Sequence, residues 1–409
     1  MRAPRKAAAV SLRVAMIAPT GFFADYGCHV RILEEAHALQ ALGHAVTIFT
    51  YPTGTTPDGL RVVRLPAFRR HSGAHVGSHR RKLLLDPLLA GLVLARSLRQ
   101  PIDVVHGHLH EGAAIGWPLA RARRVPLILD YQGSLTSEMV DHRFLLPDGP
   151  GVQIFGGVER VIEAVADCIV TSSAFARDQL AARKSWSAGR ILAVPDGVDV
   201  GRFRPRAPQD APDLAALRQQ LGIPPSRLVV GYLGLLAEYQ GTGDLIRAAR
   251  LVVDAEPGTH FLIMGYPNAA EYEQAARQAG LAEHVTFTGR IPYAQAPAHL
   301  RLCDLAVAPK RSETEGNGKV LNYMATGLPT VAYARGVAAE FLGPDARLAE
   351  RGSVSALAGE ILRLVRDADT RRTYGENLRA RAEQEFSWQR QVGRILDVYA
   401  SVGAEARHD

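Results

Sequence analysis

The sequence predicts two doubly wound α/β domains facing across a cleft, and three observations carry this. Short apolar runs alternate with longer amphipathic runs, the pattern of parallel strands covered by helices on both faces. The alternation runs to about residue 194 and restarts at 228, so there are two sheets rather than one. Between them, 194–225 holds Pro195, Pro205, Pro208, Pro212, Pro224 and Pro225, which reads as a linker.

In the first series the strands fall at 13–18, 45–51, 61–65, 104–106, 127–130, 168–171 and 191–194. Helices are expected at 29–42, 81–99, 112–123, 152–166 and 174–182, where the apolar period lengthens. In the second series strands fall at 228–233, 260–265, 285–288, 305–309 and 329–333. Three helical segments close the chain, near 353–365, 369–385 and 388–401. The expected division is 1–200 and 201–387, with the helix near 388–402 packing back on the first domain. Ligands of such sheets sit beyond the carboxyl ends of the strands, so the loops there carry the functional reading.

Composition narrows the partners. The chain is 47% apolar and 22% charged over 409 residues, which excludes wholesale disorder. Cys28, Cys168 and Cys303 have no CxxC spacing, so neither a disulfide framework nor a Cys-rich zinc site is expected, and a reducing cytoplasm fits. The basic N-terminus reads as a tail, not a signal peptide. The longest apolar run, 83–95, is broken by Asp86 and Pro87 and is too short to span a bilayer. Residues 1–200 hold 23 Lys and Arg against 17 Asp and Glu, so an anionic partner meets this half. The basic stretch from Phe68 to Lys82 precedes an apolar run. It reads either as a loop before a core helix or as a peripheral contact with an anionic membrane. Nucleic acid is not expected, since no binding module is visible.

Four loops have chemistry to offer. After the first strand, Gly27 opens a helix beside His29 and Arg31, and free helix N–H groups attract anions. The spacing is not GxGxxG. His106, His108 and His110 alternate near the end of the fourth strand. No carboxylate or Cys is placed by sequence to complete a metal site, so hydrogen bonding of substrate by His108 or His110 competes with packing. Gln132 and Ser134 follow the fifth strand and suit hydroxyl-rich ligands. The segment 308–333 carries Lys310, Lys319, Glu313 and Glu315, with Asn317 between Gly316 and Gly318. Cations there suit a phosphate, and carboxylates suit sugar hydroxyls. The triplet Asp367-Ala368-Asp369 reads as a helix start rather than a metal site.

Over residues 12–402 the chain resembles a retaining glycosyltransferase of the GT-B fold, two Rossmann-like domains, in family 4. The strings that carry this are YGCHVRILEEAHALQALGHAVTIFT, DVVHGHLHEG, VPLILDYQGS, the bridge VPDGVDVGRFRP, VGYLGLLAEYQGTGDLIRAA, HFLIMG, NGKVLNYMATGLPTVAY and FSWQRQVGRILDVY. The resemblance implies an acceptor domain followed by a nucleotide-sugar domain. Transfer of a hexose from a nucleoside diphosphate sugar to a hydroxyl, without metal or cofactor, is implied. The acceptor would be a lipid-linked sugar, a polysaccharide precursor or a small metabolite. Location would be cytoplasmic, or peripheral at the inner membrane face.

The implied donor contacts are Gly27, Gly234, Gly265, Arg290, Ile291, Glu313, Glu315, Asn317, Gly318, Lys319, Val320 and Asn322. Gln132 and His108 would orient sugar hydroxyls, and Arg290 and Lys310 would stabilise the leaving diphosphate. His29, Arg31, His110 and Ser134 would meet the acceptor. Four positions depart from the family pattern. Leu235 and Gln240 stand where Arg and Lys usually hold the diphosphate, Asn322 where a Glu is usual, and Gln132 where a His is usual. Two alternatives follow from these: an unusual donor, or a catalytically silent binding subunit.

Overall fold

A computed structural model describes residues 11–25, 27–67, 82–97, 100–141, 144–183, 189–312, 316–334 and 336–405. The first unit contains β1 Arg13–Ala18, α1 Gly27–Ala41, β2 Ala45–Thr50, β3 Arg61–Arg64, α2 Lys82–Ser97, β4 Val104–His108, α3 Leu109–Arg123, β5 Leu127–Tyr131, α4 Leu135–Asp141, α5 Pro150–Val165, β6 Cys168–Thr171, α6 Ala174–Ala182 and β7 Ile191–Ala193. The second contains α7 Ala211–Gln220, β8 Leu228–Leu233, α8 Thr242–Ala255, β9 Thr259–Met264, α9 Ala269–Gln278, β10 Val285–Gly289, α10 Ala296–Arg301, β11 Leu305–Ala308, α11 Lys319–Ala325, β12 Thr330–Tyr333, α12 Gly336–Leu342, β13 Arg347–Ala349, α13 Val354–Arg366 and α14 Ala368–Glu385; α15 Trp388–Glu405 closes the chain.

Among the described residues these strands form two sheets, β3-β2-β1-β4-β5-β6-β7 and β10-β9-β8-β11-β12-β13. Every recorded pair is parallel. Both are doubly wound about their first strand, so each has its switch point at the carboxyl end of β1 or β8. Register is fixed by wholly buried runs such as Ile17 opposite Phe49 and Gly107. With both faces covered, such a strand is apolar throughout rather than alternating.

One apolar core runs through both units, joined by Val194, Val198, Phe203 and Trp388. The chain crosses between the units there. Val198 pairs with Ser387 in a single bridge, and Trp388 presses on Gly197 so closely that a Cβ would lie 2.5 Å from the indole. The α15 helix then packs on α1 of the first unit, and Tyr399 Oη reaches His106 Nδ1 at 2.6 Å.

Several expectations change. The proline-rich segment 194–225 is not all linker, because α7 forms within it on a first turn carrying Pro212, where the missing N–H costs nothing. The fourth strand runs on to His108, and helix α3 begins at Leu109 rather than at 112. Three further elements went unread: α4, directly after β5, α12 after β12, and the three-residue edge strand β13. Asp367 of the acidic triplet is the N-cap of α14, accepting from Thr370 N at 2.9 Å. No helix among the described residues is long and apolar enough to cross a membrane.

Candidate active site

Between the two units lies a cavity of about 290 Å³, lined from both sides at the carboxyl ends of their sheets. From the first unit come Gly27, Arg31, Lys82, Gln132, Ser134 and Glu138. Gly234, Gly265, Ile291, Asn317, Gly318, Lys319 and Asn322 come from the second. These include most positions singled out in the sequence, gathered from loops up to 295 residues apart.

The second wall is built for close backbone approach. Gly234 has φ +152°, and a Cβ there would lie 2.7 Å from Lys319 Nζ. A Cβ on Gly265 would lie 2.0 Å from the Gly234 carbonyl oxygen. Only glycine fits either place. Tyr323 Oη accepts from Leu233 N at 2.7 Å and so fixes the end of β8. Lys319, the first residue of α11, donates to Gln240 Oε1 at 2.9 Å and Tyr232 Oη at 3.3 Å. Its Nζ stands 4.6 Å above the Tyr232 ring. A cation therefore does face the Gly234–Gln240 loop, but α11 supplies it. Asn317 is 2% exposed, and both polar atoms of its amide have no hydrogen-bond partner among the described residues. A buried unsatisfied amide beside a cavity is a ligand-binding group in waiting.

The floor is an ionic network. Arg31, buried on α1, donates through Nε to Asp130 at 3.0 and 3.1 Å and through Nη1 to Asp196 at 2.7 Å. His108 Nδ1 and Gln132 Nε2 donate to the same Asp130 oxygen at 2.8 and 2.7 Å. Burial disfavours the Asp130 carboxylate, but Arg31 and His108 outweigh it and hold it well below the usual range. Burial likewise opposes the Arg31 charge, and Asp130 and Asp196 more than offset it. Below lie Glu35 and His106, wholly buried and 3.1 Å apart. Burial raises the Glu35 carboxyl to about 7, against the pull of His108 and Arg31, and drives the His106 imidazole well below its usual value.

This network corrects the reading of the alternate histidines. Carboxylates do join them: Glu35, His106, His108 and Asp130 each bring one ligand atom within 4.8 Å of the others. The oxygens of Asp130 are already taken by Arg31, His108 and Gln132, so the cluster is a hydrogen-bonded floor that orients Gln132. Nothing in the sequence spacing links α1 to β5, and the pairing emerges only when β4 and β5 lie side by side.

Other positions fall away from the cavity wall. His108 is fully buried beneath it, and His110 packs against Tyr131 and faces Glu163 at 3.4 Å. His29 Nδ1 accepts from Ala24 N at 2.8 Å, holding the turn before α1, and burial lowers its imidazole to about 3. Val320 is core. Lys310 is 1% exposed and donates to the Gly316 carbonyl at 2.9 Å, so it shapes the loop rather than facing the cavity. Arg290 binds Asp25 of the first unit at 2.7 Å, and Asp25 also accepts from Tyr293 N at 2.9 Å. This clamp closes one end of the cleft. At another point Glu340 of the second unit accepts from Ala174 N and Phe175 N at the start of α6. Glu313 and Glu315 lie outside the described residues, as do 68–81 of the basic stretch; its last residue, Lys82, pairs with Glu111 at 2.8 Å.

Asp25, Asp130 and Asp196 were the residues missed. Asp196 sits in the bridge string, and its carboxylate abuts Gly316 and Gly318, where a Cβ would approach to 3.3 and 3.2 Å. It therefore ties the ligand loop of the second unit to Arg31 of the first.

Comparison with known proteins gives a consistent result. Residues 26–197 match the family model described as glycosyl transferase 4-like domain, and residues 214–381 match that of glycosyl transferases group 1. The chain is 31% identical to D-inositol 3-phosphate glycosyltransferase 1 of Catenulispora acidiphila, over 98% of this chain and 96% of the relative. It is 28% identical to the D-inositol 3-phosphate glycosyltransferase of Xylanimonas cellulosilytica, over 91% of each. Among solved structures, sucrose-phosphate synthase from Thermosynechococcus elongatus shares the fold with TM-score 0.79 at 23% identity, covering 96% of this chain and all of the other. Anabaena HepE in complex with UDP and glucose does so with TM-score 0.76 at 18% identity, covering 95% of this chain and all of the other.

Proposed function

Because the chain belongs to the group 1 glycosyl transferases and is a glycosyltransferase, we propose that it moves a hexose from a nucleoside diphosphate sugar to a hydroxyl acceptor. The transfer retains anomeric configuration and uses no metal. The observation that carries the reading is Lys319 Nζ, held in the cleft between Gly234 and Gln240. In this reading Lys319 supplies the positive charge that Leu235 and Gln240 lack. It stabilises the charge that develops on the departing diphosphate. Arg290 and Lys310, occupied by Asp25 and Gly316, support the cleft rather than the leaving group.

The other roles follow from position. Gly234, Gly265 and Gly318 let the backbone approach the donor, and Asn317 and Asn322 bond its hydroxyls. Gln132, oriented by Asp130, and Ser134 bond the transferred sugar or the acceptor. Departure of the diphosphate leaves an oxocarbenium-like sugar, and the acceptor attacks on the face the diphosphate has left. Acceptor orientation then falls to the Lys82, Glu138 and Ser134 side of the cavity. The relatives' names make D-inositol 3-phosphate one acceptor to try, alongside lipid-linked sugars.

The test is a thermal-shift and calorimetric screen against UDP, GDP, ADP and TDP with their sugars, with and without EDTA. A ligand that binds the folded state raises the melting temperature by mass action. One nucleotide is expected to bind equally with EDTA present, followed by an α-linked product from an α-linked donor by NMR. Loss of binding in EDTA overturns metal independence, an inverted product overturns retention, and no binding by any nucleotide overturns the donor class.

A further inference from the structure

We propose that the outer surface of the α2–α3–α5 layer docks on an anionic lipid bilayer. Right-handed crossovers put these helices on one face of the first sheet, where α2 packs on α3 and α3 on α5. Their inner sides are core, with Leu89, Val93, Leu119 and Ile162 buried. Their outer sides are apolar too. Leu84 on α2 is 74% exposed with Leu88 beside it, Trp117 projects from α3, and Ile154 and Val161 on α5 are each 65% exposed. Ile154, Val158 and Val161 stand at helical spacing and form one stripe.

Adding Phe144 and Leu146 in the loop before α5, this layer holds eight of the ten exposed large hydrophobic side chains among the described residues. Single exposed hydrophobics are ordinary. A concentration on one face marks an interaction surface.

Charge identifies the partner. Each acidic side chain of the three helices turns inward to a partner: Asp86 to Tyr51, Glu111 to Lys82, Glu159 to Thr136 and Glu163 to His110. The exposed charges of these helices are Arg96, Arg121 and Arg160, with Arg124 at the cap of α3. Arg121 pairs with Asp167 at the edge, and Asp148 is an exposed acid in the loop before α5. An apolar face with Arg160 within it and Arg96, Arg121 and Arg124 along the edge formed by the carboxyl ends of α2 and α3 fits a bilayer interface, where side chains enter the acyl boundary and guanidinium groups meet anionic headgroups. A twofold dimer through this face would set arginines against arginines with no helix acid to pair them. None of the exposed apolar side chains of this layer lines the cleft, and the docking is peripheral.

The experiment is co-sedimentation of the full chain with vesicles of phosphatidylcholine alone or mixed with phosphatidylglycerol. Two double variants accompany it, I154S/V161S and R124E/R160E, with melting temperatures to establish that both fold. Binding is expected only with the mixed vesicles and is expected to weaken with salt. R124E/R160E should lower the partition coefficient roughly thirtyfold, and I154S/V161S should lower it as well. No binding to mixed vesicles, or equal binding by both folded variants, overturns the proposal. So does a concentration-dependent dimer abolished by I154S/V161S, which assigns the face to a second copy.

Discussion

Lys319 Nζ lies 2.9 Å from Gln240 Oε1, so one cation from α11 meets the amide at the end of the glycine-flanked loop after β8. Replacing Lys319 with Ala is expected to weaken nucleoside diphosphate binding by roughly 10- to 100-fold, the range for a charge-assisted hydrogen bond of about 1.5–3 kcal/mol. Calorimetric titration checks it. Nucleoside binding should change far less, and equal weakening of both would remove Lys319 from the diphosphate.

Asn317 separates binding from stability. Its buried amide has no hydrogen-bond partner among the described residues, so Asn317→Ala removes an unmet polar group. The melting temperature should hold or rise, while ligand affinity falls about tenfold for one lost hydrogen bond. Thermal shift with and without the nucleotide reads both at once.

Arg31 joins Asp130 and Asp196 in a buried ion pair network. Removing one partner leaves a buried charge uncompensated, at a cost of about 3–5 kcal/mol. Arg31→Met is therefore expected to lower stability by that order in urea unfolding. A loss below about 1 kcal/mol, the level of an exposed pair, would mean that water reaches the floor.

Glu35 carries a pH signature. Burial raises its carboxyl from 4.5 to about 7. Between those values the folded state holds the extra proton, so this group's contribution is present below 4.5 and is lost as pH rises through about 7. His106, lowered from 6.5, acts in the opposite direction, its contribution being lost as pH falls through 6.5. The difference between the parent and Glu35→Gln isolates the first term. Melting curves from pH 5 to 7.5 should show the parent losing stability relative to the variant as pH rises, and parallel curves would refute the assignment.

Arg290 is half-exposed, but Asp25 is largely covered and also holds Tyr293 N, so Asp25→Ala is expected to cost only about 1–2 kcal/mol of stability. It should instead loosen the cleft, raising KM more than it lowers kcat. An unchanged KM in steady-state kinetics would leave the clamp without a role in ligand capture.

The sequence by itself determined that there are two sheets, most of their strands and helices in chain order, and the loops that line the cleft. Buried parallel strands announce themselves as continuous apolar runs, and ligand loops fall at their carboxyl ends. It also exposed Gly234, Asn317 and Lys319 as residues of interest, since glycine, amide and lysine in such loops have few structural reasons to be there. Tertiary structure alone decided which polar groups spend their charge on each other. His108 and Lys310 were attractive as isolated residues, but Asp130 and the Gly316 carbonyl hold them. Arg290 was equally attractive, yet Asp25, 265 positions away in the chain, takes its guanidinium. Partnership across such distances leaves no local period or spacing to read. A side chain's charge is written in the chain, whereas its availability depends on what the fold sets beside it.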